Sequence, residues 1–361
     1  MPLFIVGHAR SGTTLCQSLV SRHLVLPTLP ETHFFERLRQ HEPAAGVLKA
    51  DAARALLESL QPFLPLQLPA FDELLAGPTV PVRRLFLALI GQVIGSQTLA
   101  DQGLWIEKTP GHLDSLERIH AMFPDARFLW MVREPAQVFA SHRELLEPGK
   151  GWGDEWKPVE AHCAHWLALH RRGEAFAERH PDRILQLRLE DMAADPEAAM
   201  ARVRAFVGSE FAATVPSGGP QADIIQPFEV WKRDALKPAD PAIAQRAGRQ
   251  GLSAWETWRV QQLLGPQMQA LGYATDAPAP PMDPLHHELM AGLDWYRQAF
   301  EQRDQLMDVK TTRIRSLLKE LGREDAPARA RKAAAAAGQA QPAAKRKAKP
   351  KPAPPSFTLD D

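Results

Sequence analysis

Two glycines and an arginine near the start of the chain have the spacing of a phosphate-binding loop. Four residues separate Gly7 from Gly12, and Thr13 and Thr14 follow. This matches the frame G-x-x-x-x-G-K-[ST], except that Thr13 stands where the motif has lysine. The only cation of the loop is Arg10. An apolar run before the loop and a helical pattern after it predict a strand and a helix N-terminus, an arrangement that binds anions.

The missing lysine disfavours a kinase or an NTPase. A triphosphate is held by that lysine and by Mg²⁺ on an aspartate at a later strand end. The candidate strand at 127–132 ends in Arg133 instead, and a second arginine suits another anion better than a metal. The residues therefore predict a nucleotide phosphate bound without a metal. The rivals are a kinase or NTPase with a degenerate phosphate loop and a non-catalytic nucleotide-binding scaffold protein.

The loop sequence GHARSGTTL resembles the 5′-phosphosulfate loop of sulfotransferases that use 3′-phosphoadenosine-5′-phosphosulfate (PAPS). Its A-R-S-G-T-T-L form is closer to the tyrosylprotein and bacterial branch than to the cytosolic branch. A second segment, 127–133 with Ser141 following eight residues after Arg133, resembles the family motif whose arginine and serine hold the 3′-phosphate. The resemblance covers roughly residues 3–273.

The resemblance implies binding roles for the matching residues. Those that would hold the 5′-phosphosulfate are Arg10, Ser11, Gly12, Thr13 and Thr14. Arg133 and Ser141 would hold the 3′-phosphate. The sequence at 248–253 partly matches a family loop over the adenosine and makes Arg249 a further 3′-phosphate contact. PAPS is the expected co-substrate, and no metal is required.

A lysine in the pattern E-K-T-P-x-H is similar to the catalytic lysine of this family. This residue, Lys108, ends a candidate strand at 104–108. Together with Arg10 it would stabilise charge on the transferring group and the leaving phosphate. A Glu-Lys pair taken alone is more often surface decoration.

Two residues are candidates for the general base. Glu31 follows a candidate strand at 24–29 and has a counterpart in this branch of the family, which makes it the first candidate. Its alternative role is a charge at the N-terminus of a helix over 32–40. His112 is the second candidate, because an imidazole with a pKa near neutrality suits proton abstraction.

Alternating strand and helix patterns predict an α/β protein, P-loop-like and three-layered (α/β/α), with a central parallel sheet of four or five strands. A Pro-punctuated helical insertion spans 43–101 and, by the resemblance, shapes the acceptor pocket. The predicted strands are 3–6, 24–29, 104–108, 127–132 and 183–191.

The composition is that of an ordinary globular protein of 361 residues, 45% hydrophobic and 24% charged, with zero net charge. Two cysteines, Cys16 and Cys163, cannot build a disulfide framework. The chain begins on its first strand, and no run approaches about 18 apolar residues. We therefore expect a cytoplasmic protein.

Four segments are predicted along the chain. A catalytic domain at 1–275 and a Pro-rich joint at 276–284 precede an amphipathic helix at 285–322. This helix fits either a coiled coil that forms a homodimer or a helix packed on its own domain. The basic Ala/Pro/Lys-rich tail at 323–361 predicts disorder. No nucleic-acid module accompanies it, so a solubilising role is preferred to nucleic-acid binding.

Taken together, the residues and the resemblance predict metal-free in-line transfer of a sulfuryl group from PAPS to a hydroxyl or amine. The acceptor stays open among a sugar, a lipid-linked glycan, a peptide tyrosine and a small phenol, since the segments that would form its pocket carry the least pattern.

Overall fold

The computed structural model describes residues 1–41, 46–145, 159–208 and 252–280. Arg249, the helix predicted at 285–322 and the tail at 323–361 lie outside the described residues. The six strands in the described ranges are β1 (Leu3–Gly7), β2 (Val47–Lys49), β3 (Thr79–Pro81), β4 (Ile106–Lys108), β5 (Arg127–Val132) and β6 (Ile184–Arg188).

A four-stranded parallel sheet with the order β4-β1-β5-β6 lies at the centre of the fold. The residues of β1 before Gly7 are fully buried, as expected for a strand covered on both faces. In the register, Ile5 of β1 pairs with Lys108 of β4 and with Leu129 of β5. The predicted α/β fold with a central parallel sheet is confirmed.

Helices cover both faces of this sheet, because successive strand residues point to opposite sides. The helices in the described ranges are α1 (Thr13–Leu24), α2 (Phe34–Leu38), α3 (Ala50–Leu60), α4 (Val82–Ile94), α5 (Gln97–Gln102), α6 (Leu116–Met122), α7 (Pro135–Leu145), α8 (Val159–Arg179), α9 (Leu189–Ala194), α10 (Pro196–Val207) and α11 (Ala254–Ala270). Leu3 and Ile5 belong to one apolar cluster, with residues of α1, α9 and α10. Phe4 and Val6 belong to another, with residues of α3, α4, α6 and α8.

The strand predicted at 24–29 is wrong. The first helix continues through Leu24, and only Thr28 forms an isolated bridge, with Ile106. A buried side chain of α1 explains the difference, since Gln17 Nε2 donates to Thr28 Oγ1 and to the Leu29 carbonyl, both at 2.7 Å. The pairing with β4 is limited to this bridge, in which the Ile106 amide donates to the Pro27 carbonyl at 2.9 Å.

Two further boundaries differ from the sequence predictions. The described part of the predicted insertion, 46–101, is largely helical as predicted, but it also contains the antiparallel pair β2–β3. The strand predicted at 183–191 ends at Arg188, where α9 begins. Among the helices in the described ranges, none is both long enough and apolar enough to cross a bilayer.

Two glycines fix the turn between β1 and α1. A Cβ on Gly7 would lie 2.5 Å from the carbonyl oxygen of Met131 on the neighbouring strand. Gly12 has φ 83°, and a Cβ there would lie 2.5 Å from Leu189 Cδ1. The loop is therefore packed directly against β5 and the start of α9.

We predict that Gly12→Ala destabilises the protein by roughly 2–4 kcal/mol, because a left-handed backbone and an overpacked contact are both penalised. Gly95→Ala is the matched control, since Gly95 also has a positive φ (71°) but an added Cβ there meets no atom within 4 Å. This control should cost only about 1 kcal/mol. Urea denaturation measures both values, and equal losses would show that the Leu189 contact is unimportant.

Candidate active site

The loop between β1 and α1 presents backbone donors at the carboxyl edge of the sheet. Gly12 is the N-cap of α1, and no side chain caps this helix end. Arg10 has φ 71°, an uncommon backbone conformation for a residue with a side chain. Within the part of the chain that the structure describes, the buried Ser11 hydroxyl has no hydrogen-bond partner. These are the features of an anion cradle.

Three of the predicted phosphate ligands lie together. Arg10 Nε donates to Ser141 Oγ at 3.0 Å, although the two residues are 131 positions apart. Arg133 Nη1 donates to the Arg10 carbonyl at 3.0 Å. Ser141 on α7 is 2% exposed and Arg133 is 4% exposed. The serine thus faces the loop instead of solvent, and both arginines are held at one sheet edge.

A partly buried carboxylate holds the backbone beside Arg133. Glu190, just after β6, accepts from the Glu134 amide at 3.0 Å and from the Tyr273 hydroxyl at 2.9 Å. Burial, the Glu190 charge and the hydrogen bond to it raise the pKa of Tyr273. Burial lowers the pKa of Arg133, whereas the charge of Glu190 acts to raise it. Sequence reasoning gave Glu190 no role.

Lys108 and Glu31 form an ion pair beyond the end of β4. Lys108 Nζ donates to Glu31 Oε1 at 2.5 Å, and the side-chain exposures are 0% and 14%. The second carboxylate oxygen, Oε2, lies 3.5 Å from His33 Nε2. Of this pair only Glu31 is exposed to solvent. Because Lys108 is fully buried, the alternative that it belongs to an ordinary surface ion pair is excluded.

His112 lies deeper, in contact with Glu107. The imidazole is fully buried; Nδ1 lies 3.0 Å from Glu107 Oε2, and the Phe35 amide donates to Nε2 at 3.3 Å. Since Nε2 accepts, the proton lies on Nδ1, which donates to Glu107. Both ring nitrogens are therefore engaged inside the protein.

The alternative role of Glu31, as a charge at the N-terminus of a helix over 32–40, is weakened by the observed helix start. Helix α2 begins at Phe34 with His33 as its N-cap, so Glu31 lies before the cap.

Four histidine rings lie close together at the loop between β1 and α1. His8 lies in the loop itself, and its ring centroid is 5.3 Å from that of His142 and 5.1 Å from those of His162 and His165. The Ala9 carbonyl accepts from His8 Nδ1 at 2.8 Å and from His142 Nε2 at 3.3 Å. Burial lowers the pKa of His8 to about 4 and that of His142 to about 3. The His8 and His142 rings are therefore neutral at pH 7.

A sulfotransferase family model matches residues 2–213, which is more than half of the chain. The chain belongs to the sulfotransferase family. This confirms at family level the resemblance of the loop sequence. The nodulation protein NoeE of Sinorhizobium fredii (strain NBRC 101917 / NGR234) is 25% identical over 286 residues, covering 72% of this sulfotransferase and 60% of NoeE. The chain thus spans about 60% of the length of that relative.

The similarity of this chain to solved structures is distant, both in sequence identity and in TM-score. The sulfotransferase domain from the curacin biosynthetic pathway is 18% identical with a TM-score of 0.43, covering 78% of this chain and 99% of that domain. STF9 from Mycobacterium avium is 16% identical with a TM-score of 0.36, covering 77% of this chain and 78% of STF9.

Sequence reasoning missed several polar residues of this sulfotransferase. Glu107 directly precedes the predicted lysine in a strand that is buried throughout, and a charged residue within such a strand was the available signal. The histidines near the loop gave no signal, because they are dispersed along the chain. The missed residues are His8, Thr32, His33, Glu107, Thr109, His142, His162, Glu190 and Tyr273.

Because His8 and His142 are neutral in the folded protein, we predict that the free energy of unfolding decreases as the pH is lowered. The pKa of an unfolded histidine is about 6.5, so the unfolded chain binds protons below that pH whereas folded His8 and His142 bind them only near pH 4 and pH 3. The stability contributed by these two neutral rings is fully present above about pH 6.5 and is lost as the pH falls below that value. Each ring contributes a loss of roughly 2 kcal/mol between pH 7 and pH 5.

Urea denaturation of wild type and His142→Gln at both pH values measures this dependence. The glutamine amide can replace the hydrogen bond to the Ala9 carbonyl but does not titrate, so the variant should lose less stability on acidification. Identical pH slopes for the two proteins would contradict the assignment.

Proposed function

We propose that this sulfotransferase moves a sulfuryl group from PAPS to a hydroxyl or amine of its acceptor. The observation that carries the proposal is the contact of Arg10 with Arg133 and Ser141 beyond the carboxyl end of β1. Strand β1 pairs directly with β4, which ends in Lys108. The loop donors at the N-terminus of α1 and the adjoining Arg133 and Ser141 side chains on the same edge suit a nucleotide with phosphates at both its 5′ and 3′ positions. A kinase or NTPase is disfavoured, since Thr13 replaces the lysine that a triphosphate requires.

The residues present fit this nucleotide. The uncapped N-terminus of α1 and the unpartnered Ser11 hydroxyl supply donors for the 5′-phosphosulfate, with Thr13 and Thr14 beside them. Arg133 and Ser141 would hold the 3′-phosphate, and Arg249 stays a predicted further contact. Once bound, PAPS supplies a sulfuryl group already attached to a good leaving phosphate.

Glu31 is the proposed general base. Its carboxylate is partly exposed and can receive the proton of an incoming hydroxyl as the new sulfur–oxygen bond forms and the old one to phosphate breaks. Lys108 and Arg10 would stabilise the negative charge left on that phosphate. His112 is not assigned as base, because the Phe35 amide and Glu107 occupy its two ring nitrogens.

The proposed acceptor is hydroxylated: a glycan, a peptide tyrosine or a small molecule. Sulfur-35-labelled PAPS incubated with a panel of these compounds, in the presence of EDTA, tests the function directly. Labelled acceptor is the expected result. Release of phosphate from ATP would favour the kinase or NTPase alternative, and nucleotide binding without transfer to any acceptor would favour a scaffold protein.

We predict that Arg10→Ala and Glu31→Gln separate binding from chemistry. Arg10→Ala should weaken binding of adenosine 3′,5′-bisphosphate by about tenfold or more, because a charge-assisted hydrogen bond contributes roughly 1.5–3 kcal/mol. Glu31→Gln should leave binding within about threefold yet lower kcat by at least about 100-fold, as expected for loss of a general base. Calorimetry and initial rates measure the two effects. Arg84→Ala, at an exposed position, is the control for loss of an arginine, and a Glu31→Gln protein with wild-type kcat would remove Glu31 from the mechanism.

A separate prediction concerns Ser141. Ser141→Ala should reduce the preference for adenosine 3′,5′-bisphosphate over AMP by roughly tenfold, because one hydrogen bond to a charged group is lost. AMP affinity itself should change little. Calorimetric titration with both nucleotides provides the ratio, and an unchanged ratio would place the 3′-phosphate elsewhere.

A further inference from the structure

We propose that Glu107 is a positioning residue that, through the Thr109 hydroxyl, sets the contact between Lys108 and Glu31. The inference rests on the proposed function for its catalytic consequence. Glu107 directly precedes Lys108, and Thr32 directly follows Glu31. A cross-link between these neighbours therefore fixes the ion pair from one residue away on each side.

The cross-link consists of hydrogen bonds to one carboxylate. Glu107 Oε1 accepts from Thr32 Oγ1 at 2.8 Å and from Thr109 Oγ1 at 2.6 Å. Glu107 Oε2 accepts from His112 Nδ1 at 3.0 Å. The side chains of Glu107, Thr32, Thr109 and His112 are all fully buried. Water therefore does not compete for these acceptor positions.

The Thr109 hydroxyl extends the link to the main chain. While it donates to Glu107, its oxygen accepts from the Thr32 amide at 3.0 Å and from the His33 amide at 3.3 Å. These are the first two amides after Glu31. The backbone that carries the proposed base is thus tied to the residue that follows the proposed catalytic lysine.

The carboxylate charge is needed for this arrangement. Burial acts to raise the pKa of Glu107, but the attraction of the His112 ring and three hydrogen bonds outweigh it, so the pKa is lowered and the group is ionised. A glutamine would bring an NH₂ group against either the two hydroxyls or the His112 N–H. The ring cannot adapt by moving its proton, because the Phe35 amide already donates to Nε2. No orientation of glutamine restores every bond.

Thr109→Val and Thr109→Ser form a matched pair for testing the link. Valine keeps the shape but lacks the hydroxyl, so the Thr32 and His33 amides lose their acceptor, whereas serine retains it. In the full chain, hydrogen–deuterium exchange of the peptide containing these amides should be at least about tenfold faster in Thr109→Val than in wild type. Thr109→Ser should exchange like wild type, and equal protection in all three proteins would refute the link.

The catalytic consequence is a fall in kcat at constant nucleotide affinity. A misplacement of about 1 Å lowers a rate by about 100-fold, so Thr109→Val and Glu107→Gln should lose roughly this factor in kcat. The Kd for adenosine 3′,5′-bisphosphate should stay within about threefold of wild type, because its proposed ligands lie on other strand ends. Thr109→Ser should recover most of the rate. A folded Thr109→Val protein with wild-type kcat would overturn the positioning role and leave Glu107 a stabilising residue only.

Failure of the proposed function gives a different pattern. If wild type transfers no label from PAPS, the catalytic part of the inference falls together with the proposed function. The exchange measurement needs neither PAPS nor acceptor, so it still decides whether Glu107 and Thr109 hold the Glu31 segment. Glu107→Gln, examined by the same measurement and by urea denaturation, distinguishes a local loosening from a protein that has not folded.

Discussion

The parallel pairing of β1 with both β4 and β5 is the constraint on which the site depends. Parallel strands bring their carboxyl ends to the same edge, so the loop after Gly7, Lys108 and Arg133 meet there although they are far apart in the chain. The glycines of that loop allow close packing on β5 and on α9. A rigid edge results, with backbone donors in the centre and one cationic residue at the end of each flanking strand.

Two carboxylates, Glu107 fully buried and Glu190 partly buried, hold backbone on the two cationic sides of this edge. Glu107 lies beside Lys108 and binds the segment that follows Glu31, and Glu190 binds the amide that follows Arg133. In both places an acidic group fixes backbone next to a cation without neutralising the cation directly. Buried charges of this kind add little net stability, because the cost of desolvation offsets their attraction. Under the proposed function, their value is that they hold donors in place for the anion.

The burial of the cations matters for the proposed chemistry. Lys108 is fully buried and Arg133 nearly so, so their fields are screened less than those of surface charges. Charge that develops on a leaving phosphate would therefore be stabilised by groups already in position. The neutral histidines behind the loop add bulk and hydrogen bonds to this region without adding further positive charge.

The sequence by itself determined the α/β class, the glycine turn between β1 and α1 and most strand and helix positions, because apolar periodicity and glycine spacing are local properties of the chain. It also indicated Arg10, Lys108, Arg133 and Ser141 as candidates, and the tertiary structure brings Arg10, Arg133 and Ser141 into mutual contact. Only the tertiary structure decided that 24–29 is not a strand, that His112 is enclosed, and that Glu107 and Glu190 are partners of the site. Those outcomes depend on hydrogen bonds between residues distant in sequence, and a buried acceptor is satisfied by whichever donor the fold places beside it.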